Sequence, residues 1–376
     1  MPQRVISDLG SISRLINILR VEDAKNILLV TGKQSFFASG AAAEIESIFE
    51  DFNVTKFNDF EINPKYEDAK KGSEIAKKNK IDTIVSVGGG SVIDIAKLIL
   101  AFLDPDQDIE KIIDGSIKAK PSRVKHISVP TTAGTGSEST HFAVVYKNNK
   151  KYSVAADFLL PDIVLLDGIL FLSNSPNQKA FNGLDALAQA IESHWACGST
   201  SESKSFSRKA IPILFKKLPK IVSGEASKEE FQYFIEAANL AGKAINLSKT
   251  TSPHAFSYSF TSEYSIPHGQ AVWLTLPKIF EIHKNALDLG TDNIINFKEL
   301  QNSITEILNL LEINQIDISN ELKEFVLGLG LECRMEKLGL NTPSAREQIA
   351  RKVNLERLKN NPVILTEENI CEIFDF

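Results

Sequence analysis

Through its first 166 residues the chain alternates short apolar runs with stretches of helical spacing, and that alternation limits the folds open to it. Asn26–Thr31 (NILLVT), closed by Gly32, reads as a buried strand, and Ser39–Phe52 carries helical spacing. Val54–Phe60 reads as the next strand and Tyr66–Asn79, rich in Lys, Ala and Glu, as an amphipathic helix. Ile81–Val87 (IDTIVSV) is again apolar, followed by helical Val92–Phe102 and the strand His126–Val129. Strands alternating with helices of roughly 10–15 residues predict a parallel, doubly wound, Rossmann-like α/β sheet.

After strand-like Asp162–Leu166 and the turn Ser173–Pro176 the pattern changes to helix upon helix: Gln178–Cys197, Ser201–Leu218, Lys228–Ile245 and shorter ones beyond. The reading is therefore an α/β N-terminal domain over 1–172 and an all-helical C-terminal domain over 173–376. Hydrophobic and charged fractions of 43% and 24% are those of a soluble globular protein. A net charge of −6, with no dense Lys/Arg cluster, argues against a nucleic-acid partner. No apolar run reaches the ~20 residues that span a bilayer, and the N-terminus lacks the apolar core of a secretion signal. Cys197, Cys333 and Cys371 are scattered and odd in number, so neither a disulfide framework nor a thiolate metal site is expected. The expected compartment is the cytoplasm, with a small molecule as substrate and no membrane partner.

Two loops carry the first chemical signal. Gly88-Gly89-Gly90-Ser91 lies between a strand and a helix, where glycines let backbone N–H groups approach an anion and the helix dipole favours it. The spacing is not GxGxxG, and a plain glycine turn is the alternative. The run Pro130-Thr-Thr-Ala-Gly-Thr-Gly-Ser-Glu138 follows the next strand and is again small and hydroxyl-rich. Two such loops on one sheet edge point to a phosphate-bearing nucleotide.

A second signal lies in the helical half. Two of the six histidines, His254 and His268, each follow a proline. Proline is tolerated in the first turn of a helix and not in its interior, so Pro253 and Pro267 mark two helix starts with the histidines just inside. Neutral imidazole at a helix N-terminus is a good metal ligand. Asp185 and Gln189, spaced i,i+4, share one face of an otherwise apolar helix, where a carboxylate is costly unless paired or metal-bound. Asp185, His254 and His268 together suit Zn2+ or Fe2+ acting as a Lewis acid, the alternative being a capping aspartate and two turn histidines.

GGGSVIDIAK (Gly88–Lys97), PTTAGTGSE, GLDALAQAIE (Gly183–Glu192) and IPHG (Ile266–Gly269), in this order, resemble the iron-containing, or group III, alcohol dehydrogenase family. The resemblance runs from about Gly10 to TEENICEIF near the C-terminus. It implies that Gly88, Gly89, Gly90, Ser91 and Asp94 surround the nucleotide, that Thr131, Thr132 and Ser137 line its other side, and that Lys151 sits near the ribose or phosphates. It implies Asp185, His254 and His268 as metal ligands, with Gln189 where most members carry a fourth, histidine. Another family histidine is here Tyr258, for which proton relay and simple packing both remain open. Family members are often dimers, so a homo-oligomer is expected.

In the family an acid after the first of these strands holds the ribose 2′-hydroxyl. Here Gly32 and Lys33 occupy that stretch, which leans from NAD(H) toward NADP(H) on charge alone. Lys249-Thr250-Thr251-Ser252 offers a cation and three hydroxyls before His254, suggesting a substrate with a phosphonate, phosphate or carboxylate, as in a phosphonoacetaldehyde reductase. The expected activity is metal-dependent, NAD(P)(H)-linked reduction of a small aldehyde or oxidation of an alcohol. The rivals are a dehydroquinate synthase-like cyclase that uses NAD transiently and a metal-free nucleotide-binding protein.

Overall fold

Ile27, Leu28, Leu29 and Val30 are all buried, and alternate side chains of this strand enter two different cores. Successive residues of a strand point to opposite faces, so a run apolar at every position belongs in the middle of a sheet covered on both sides. The computed structural model, which describes residues 3–148, 150–313, 316–353 and 358–374, shows that sheet. Its strands are β1 (Arg4–Ser7), β2 (Asn26–Thr31), β3 (Asn53–Phe57), β4 (Thr83–Gly88), β5 (Lys125–Pro130) and β8 (Ile163–Leu166), in the order β1-β8-β5-β4-β2-β3. All five pairings are parallel, so every strand delivers its carboxyl end to the same edge. Helices α1 (Tyr66–Lys78) and α2 (Gly90–Ala101) follow β3 and β4.

Three elements differ from the sequence reading. β1 was not foreseen; at four residues it is too short to show a period. The antiparallel hairpin of β6 (Phe142–Lys147) and β7 (Lys150–Ala155) was also missed, although aromatic and β-branched runs flank Asn148, which has the positive φ of a tight turn. Ser39–Phe52 is not one helix: Ala41–Glu46 is α-helical, and Ser47–Asp51 tightens into a 3₁₀ turn before β3.

The chain forms two compact units, Met1–Asn174 with Ser227–Asn239, and Ser175–Ala226 with Leu240–Phe376. In the second, α3 (Pro176–Trp195) packs along α4 (Ser201–Ser223), and α5 is Lys228–Ser248. The helices α6 (Ser252–Tyr264) and α7 (His268–Trp273) follow, then α8 (Leu276–Leu289) and α9 (Phe297–Leu311). The first part of α5 belongs to the first unit for identifiable reasons. Phe231 and Phe234 pack on Phe171, with ring centroids 5.5 and 6.0 Å away. Gln232 accepts from Gly168 N at 2.8 Å and donates to Leu166 O at 3.1 Å. No helix among the described residues is long and apolar enough to cross a membrane.

Candidate functional site

In the first unit the two glycine-rich loops leave neighbouring strands, and Thr131 N donates to Gly88 O at 3.0 Å. The glycines are needed for one loop to lie on the other. A Cβ on Gly89 would sit 3.2 Å from Thr132 Oγ1, and one on Gly90 would sit 2.6 Å from Thr135 Oγ1. Gly89 precedes the first turn of α2, whose free amides and positive dipole end suit a phosphate. Ser91 Oγ accepts Asn63 N at 3.3 Å, tying the segment after β3 to the same edge. The hydroxyl of Thr131, 1% exposed, has no protein partner among the described residues. A buried hydroxyl without a partner is costly unless a ligand supplies one, so the loop fits the nucleotide expected for it.

Asp94 and Ser137, both expected at the nucleotide, are bonded to each other. Asp94 Oδ1 accepts Ser137 Oγ at 2.5 Å and Oδ2 accepts Val144 N at 3.0 Å, so both oxygens hold the second loop in place. Lys97, one turn further along α2 and 0% exposed, completes the fastening. Its ammonium donates to Ser137 O at 2.5 Å, Thr140 O at 2.7 Å and Phe142 O at 3.0 Å. Burial pushes its pKa down to about 8, against the pull of Asp94 and Glu138, so it stays charged at neutral pH. Lys151, half-buried on β7, lies close enough to help draw the Asp94 carboxyl down, although burial raises it overall. At Gly32 an added Cβ would meet Ser35 Oγ at 2.2 Å, a contact that rotation of the serine side chain relieves. Lys33 is exposed, 3.9 Å from Asp59.

The second unit assembles the metal-type residues. The capping box of Ser175 and Gln178 starts α3, which carries Asp185, Gln189 and Glu192 on one face at i, i+4 and i+7. Pro253 lies in the first turn of α6 and Pro267 caps α7, which places His254 and His268 at two helix starts. Gly269 brings α7 directly onto α3: a Cβ there would stand 1.9 Å from Phe181 O and 3.0 Å from Asp185 N. The donor atoms of Asp185, His254 and His268 all lie within 4.8 Å of one another. Metal bonds of about 2.0–2.2 Å would draw tetrahedral donors to roughly 3.4 Å apart, a short contraction of the set seen here.

Polar contacts organise the cluster. His254 Nε2 is 3.2 Å from Asp185 Oδ1, and Gln189 Nε2 donates to the same oxygen at 3.2 Å. Gln189 is thus brought to the cluster with its amide turned to the Asp185 carboxylate. Burial works against a charged His254, but Glu192 and Asp185 together push its pKa up to about 9. Burial likewise opposes an ionised Asp185, yet the His254 hydrogen bond and the nearby His268 hold its carboxyl below the usual range. One carboxylate and two imidazoles, with Asp185 and His254 buried and His268 partly exposed, are a donor set for a borderline divalent ion. Tyr258 lies parallel to His268, centroids 6.1 Å apart.

The segment before His254 differs from expectation. Thr251 Oγ1 donates to Glu192 Oε2 at 2.9 Å and accepts Trp195 Nε1 at 3.0 Å, and Ser252 Oγ donates to Asn361 Oδ1 at 2.7 Å. Two of the three hydroxyls offered to a substrate are therefore spent inside the unit. Lys249 is exposed, with a positive φ of 63° at the end of α5. Glu192, which contacts His254 Nδ1, was not singled out from the sequence. Its spacing from Asp185 was visible, but its partners lie about sixty residues away.

A cluster of metal-type donors and, separately, a nucleotide-type loop edge fit a metal- and nucleotide-dependent enzyme, and comparison with known proteins gives it a place. Residues 2–168 match the family described as iron-containing alcohol dehydrogenase, and residues 179–375 match the Fe-containing alcohol dehydrogenase family, C-terminal. The chain belongs to the iron-containing alcohol dehydrogenase family. It is 25% identical to long-chain-alcohol dehydrogenase 1 of Geobacillus thermodenitrificans, over 97% of this chain and 93% of that protein. It is 32% identical to phosphonoacetaldehyde reductase of Streptomyces viridochromogenes, over 56% of this chain and 55% of that one. Its fold superposes on sulfoacetaldehyde reductase from Bifidobacterium kashiwanohense, solved with NAD+, at a TM-score of 0.89 and 27% identity, covering 100% of this chain and 96% of that one. The protein is an oxidoreductase of alcohols and aldehydes that works with NAD(P) and a divalent metal, and these matches favour that reading over the cyclase and the silent nucleotide-binding protein.

Proposed function

We propose that this enzyme reduces a small aldehyde bearing an anionic group, such as a phosphonate or sulfonate, to the corresponding alcohol, with NADPH accepted alongside NADH. The observation that carries the reaction class is the cluster of Asp185, His254 and His268, whose donor atoms converge within 4.8 Å. These three residues hold the divalent ion, with Gln189 supporting Asp185. When bound, the ion supplies Lewis-acid polarisation of the carbonyl oxygen and the reduced nicotinamide supplies hydride to the carbonyl carbon. Thr131, with its buried hydroxyl, and the amides of Gly89 to Ser91 hold and orient the dinucleotide, Thr132 supports their loop, and Lys151 is the cation of this group. Tyr258 is the chain's own candidate for delivering the proton that balances hydride transfer at oxygen.

The anionic substrate is supported by exposed Lys249, three residues before Ser252 and the first turn of α6, and by the likeness to two reductases of anionic acetaldehydes. Acceptance of a 2′-phosphate is supported by Lys33 and Lys71, two ammonium groups that share the single carboxylate of Asp59 at 3.9 and 2.5 Å. We further place the enzyme in the cytoplasm as a homodimer, on its three free cysteines and the family resemblance. The test is a steady-state screen of phosphonoacetaldehyde, sulfoacetaldehyde and propanal with both cofactors, with and without Fe2+ or Zn2+. The anionic aldehydes should lead by at least tenfold in kcat/KM, and Lys249→Ala should raise their KM while leaving propanal unchanged. Equal kcat/KM for charged and neutral aldehydes would sink the substrate class. NADPH use unaffected by Lys33→Glu would sink the cofactor reading.

A further inference from the structure

Glu192 is completely buried two turns along α3 from Asp185, and both its oxygens are engaged. Oε1 meets His254 Nδ1 in a very short contact, and Oε2 accepts the backbone N–H of Thr251 at 2.7 Å and its hydroxyl at 2.9 Å. Thr251 in turn accepts the indole N–H of Trp195, from the last residue of the same helix, at 3.0 Å. Thr251 is the residue immediately before α6, so one carboxylate ties α3 to the start of the helix that carries His254.

A buried carboxylate is expensive unless it is paired and fully hydrogen-bonded, and here each oxygen faces a donor. An ionised carboxylate can only accept, so the ring nitrogen that faces it carries the hydrogen. Nδ1 of His254 is therefore the N–H side of the ring, and Nε2, 3.2 Å from Asp185 Oδ1, is the side left to ligate. A carboxylate behind a ligating imidazole fixes its tautomer, fixes its orientation and raises its basicity toward the ion.

We propose that Glu192 is a positioning residue of the metal site, which locks His254 with Nε2 directed at the ion and does so through the Thr251–Trp195 chain that holds Glu192 itself. The inference rests on the reading of Asp185, His254 and His268 as metal ligands.

Glu192→Gln is the informative change because it keeps shape and removes one acceptor. Three donors (His254 Nδ1–H, Thr251 N–H and Thr251 O–H) then face one oxygen and one NH2 group. With the NH2 turned to His254, the ring is driven to the tautomer whose Nε2 carries hydrogen and cannot ligate. With it turned to Thr251, a backbone N–H at the start of α6 loses its acceptor. Zn2+ affinity, measured by competition with a chromophoric chelator, should fall roughly 10- to 100-fold in Glu192→Gln, and the visible spectrum of the Co2+-loaded protein should change in position and intensity.

NAD(P)H binding, followed by fluorescence, should be unchanged, and a helical circular-dichroism signal and melting transition like the parent's show that the second unit is folded. Should Glu192→Gln not fold, Glu192→Asp, which draws the carboxylate back from Nδ1, should lower Zn2+ affinity in the same direction. Ser207→Ala is the control for a loosened α3. It removes the 2.8 Å bond to Nδ1 of His194, two residues beyond Glu192, and should leave Zn2+ affinity within about threefold. Unchanged Zn2+ affinity in a folded Glu192 variant, or an equal loss in Ser207→Ala, overturns the positioning role alone. Failure of the parent protein to bind Zn2+, Co2+ or Fe2+ overturns it together with the metal reading.

Discussion

Gly269→Ala is the smallest change that tests how the metal residues are brought together. The new methyl carbon would stand 1.9 Å from Phe181 O, 2.9 Å from Phe181 C and 3.0 Å from Asp185 N, all backbone atoms of α3. No rotamer change can relieve a clash with backbone, and non-bonded contact needs about 3.5 Å, so α7 and α3 must part by roughly 1.5 Å. His268 is the neighbouring residue and moves with α7, while Asp185 stays on α3. Metal bonds tolerate displacements of about 0.2 Å, several times less than this shift. One of the three ligands is therefore lost. Overpacking alone costs about 1–3 kcal/mol, which should leave the protein folded. Activity should drop on the order of 100-fold, the usual effect of a misplacement of about 1 Å. Equilibrium dialysis against Zn2+ or Fe2+, with metal per chain read by mass spectrometry, measures the first effect and steady-state kinetics the second. A Gly269→Ala protein with full metal content and kcat within threefold of the parent would refute the reasoning, because α3 and α7 would then be free to separate without disturbing the site.

Acid should destabilise the fold through its buried histidines. Burial pushes His126 and His283 down to about 3 and His194 down to about 4, from an ordinary value of 6.5. As pH falls below 6.5 the unfolded chain takes up three protons that the folded one refuses, so stability present above that pH is lost at roughly 4 kcal/mol per pH unit between about 6 and 4.5. His254 opposes none of this, since its raised value of about 9 gives a contribution complete below 6.5 and lost only as pH rises through 9. Urea midpoints at pH 7, 6 and 5 should fall steeply, and a total loss under 1 kcal/mol would contradict the burial of these rings. In the first unit, Lys97→Met should strand the carbonyls of Ser137, Thr140 and Phe142, cost about 3–5 kcal/mol and raise the Kd for NAD(P)H at least tenfold by loosening the loop that contains Thr131. Fluorescence titration checks it, and an unchanged Kd would mean the loop keeps its shape without the lysine.

Local chemistry made much of this protein legible. β2 and β4 stood out because strands covered on both faces must be apolar throughout, and Gly88–Ser91 stood out because one residue type recurs where a strand meets a helix. Pro253 and Pro267 placed His254 and His268 at helix starts by a rule that needs no tertiary knowledge. Roles set by distant partners were not legible. The hold of Asp94 on Ser137 and Val144 was not foreseen, and Thr251 and Ser252 looked open until Glu192, Trp195 and Asn361 were found to occupy them. Glu192 itself is one more charged residue on a helix until the chain returns at Thr251. β1 escaped for a different reason, because four residues carry no measurable period and only pairing with β8 makes them a strand.

The early part of α5 carries a consequence for dissection of the gene. Cutting the coding sequence after Asn174, where the family boundary suggests a clean division, would yield a polypeptide that is not a self-sufficient nucleotide-binding half. Phe171 would lose the rings of Phe231 and Phe234, and the end of β8 would lose the amide of Gln232 that caps it. Glu138, buried in the second glycine-rich loop, would lose the Asn239 donor 3.0 Å away. Complementation between separately expressed pieces would succeed only if the first were supplied with residues 227–239, and a chimaera that swaps the halves of two relatives must carry this thirteen-residue insert with the sheet it completes.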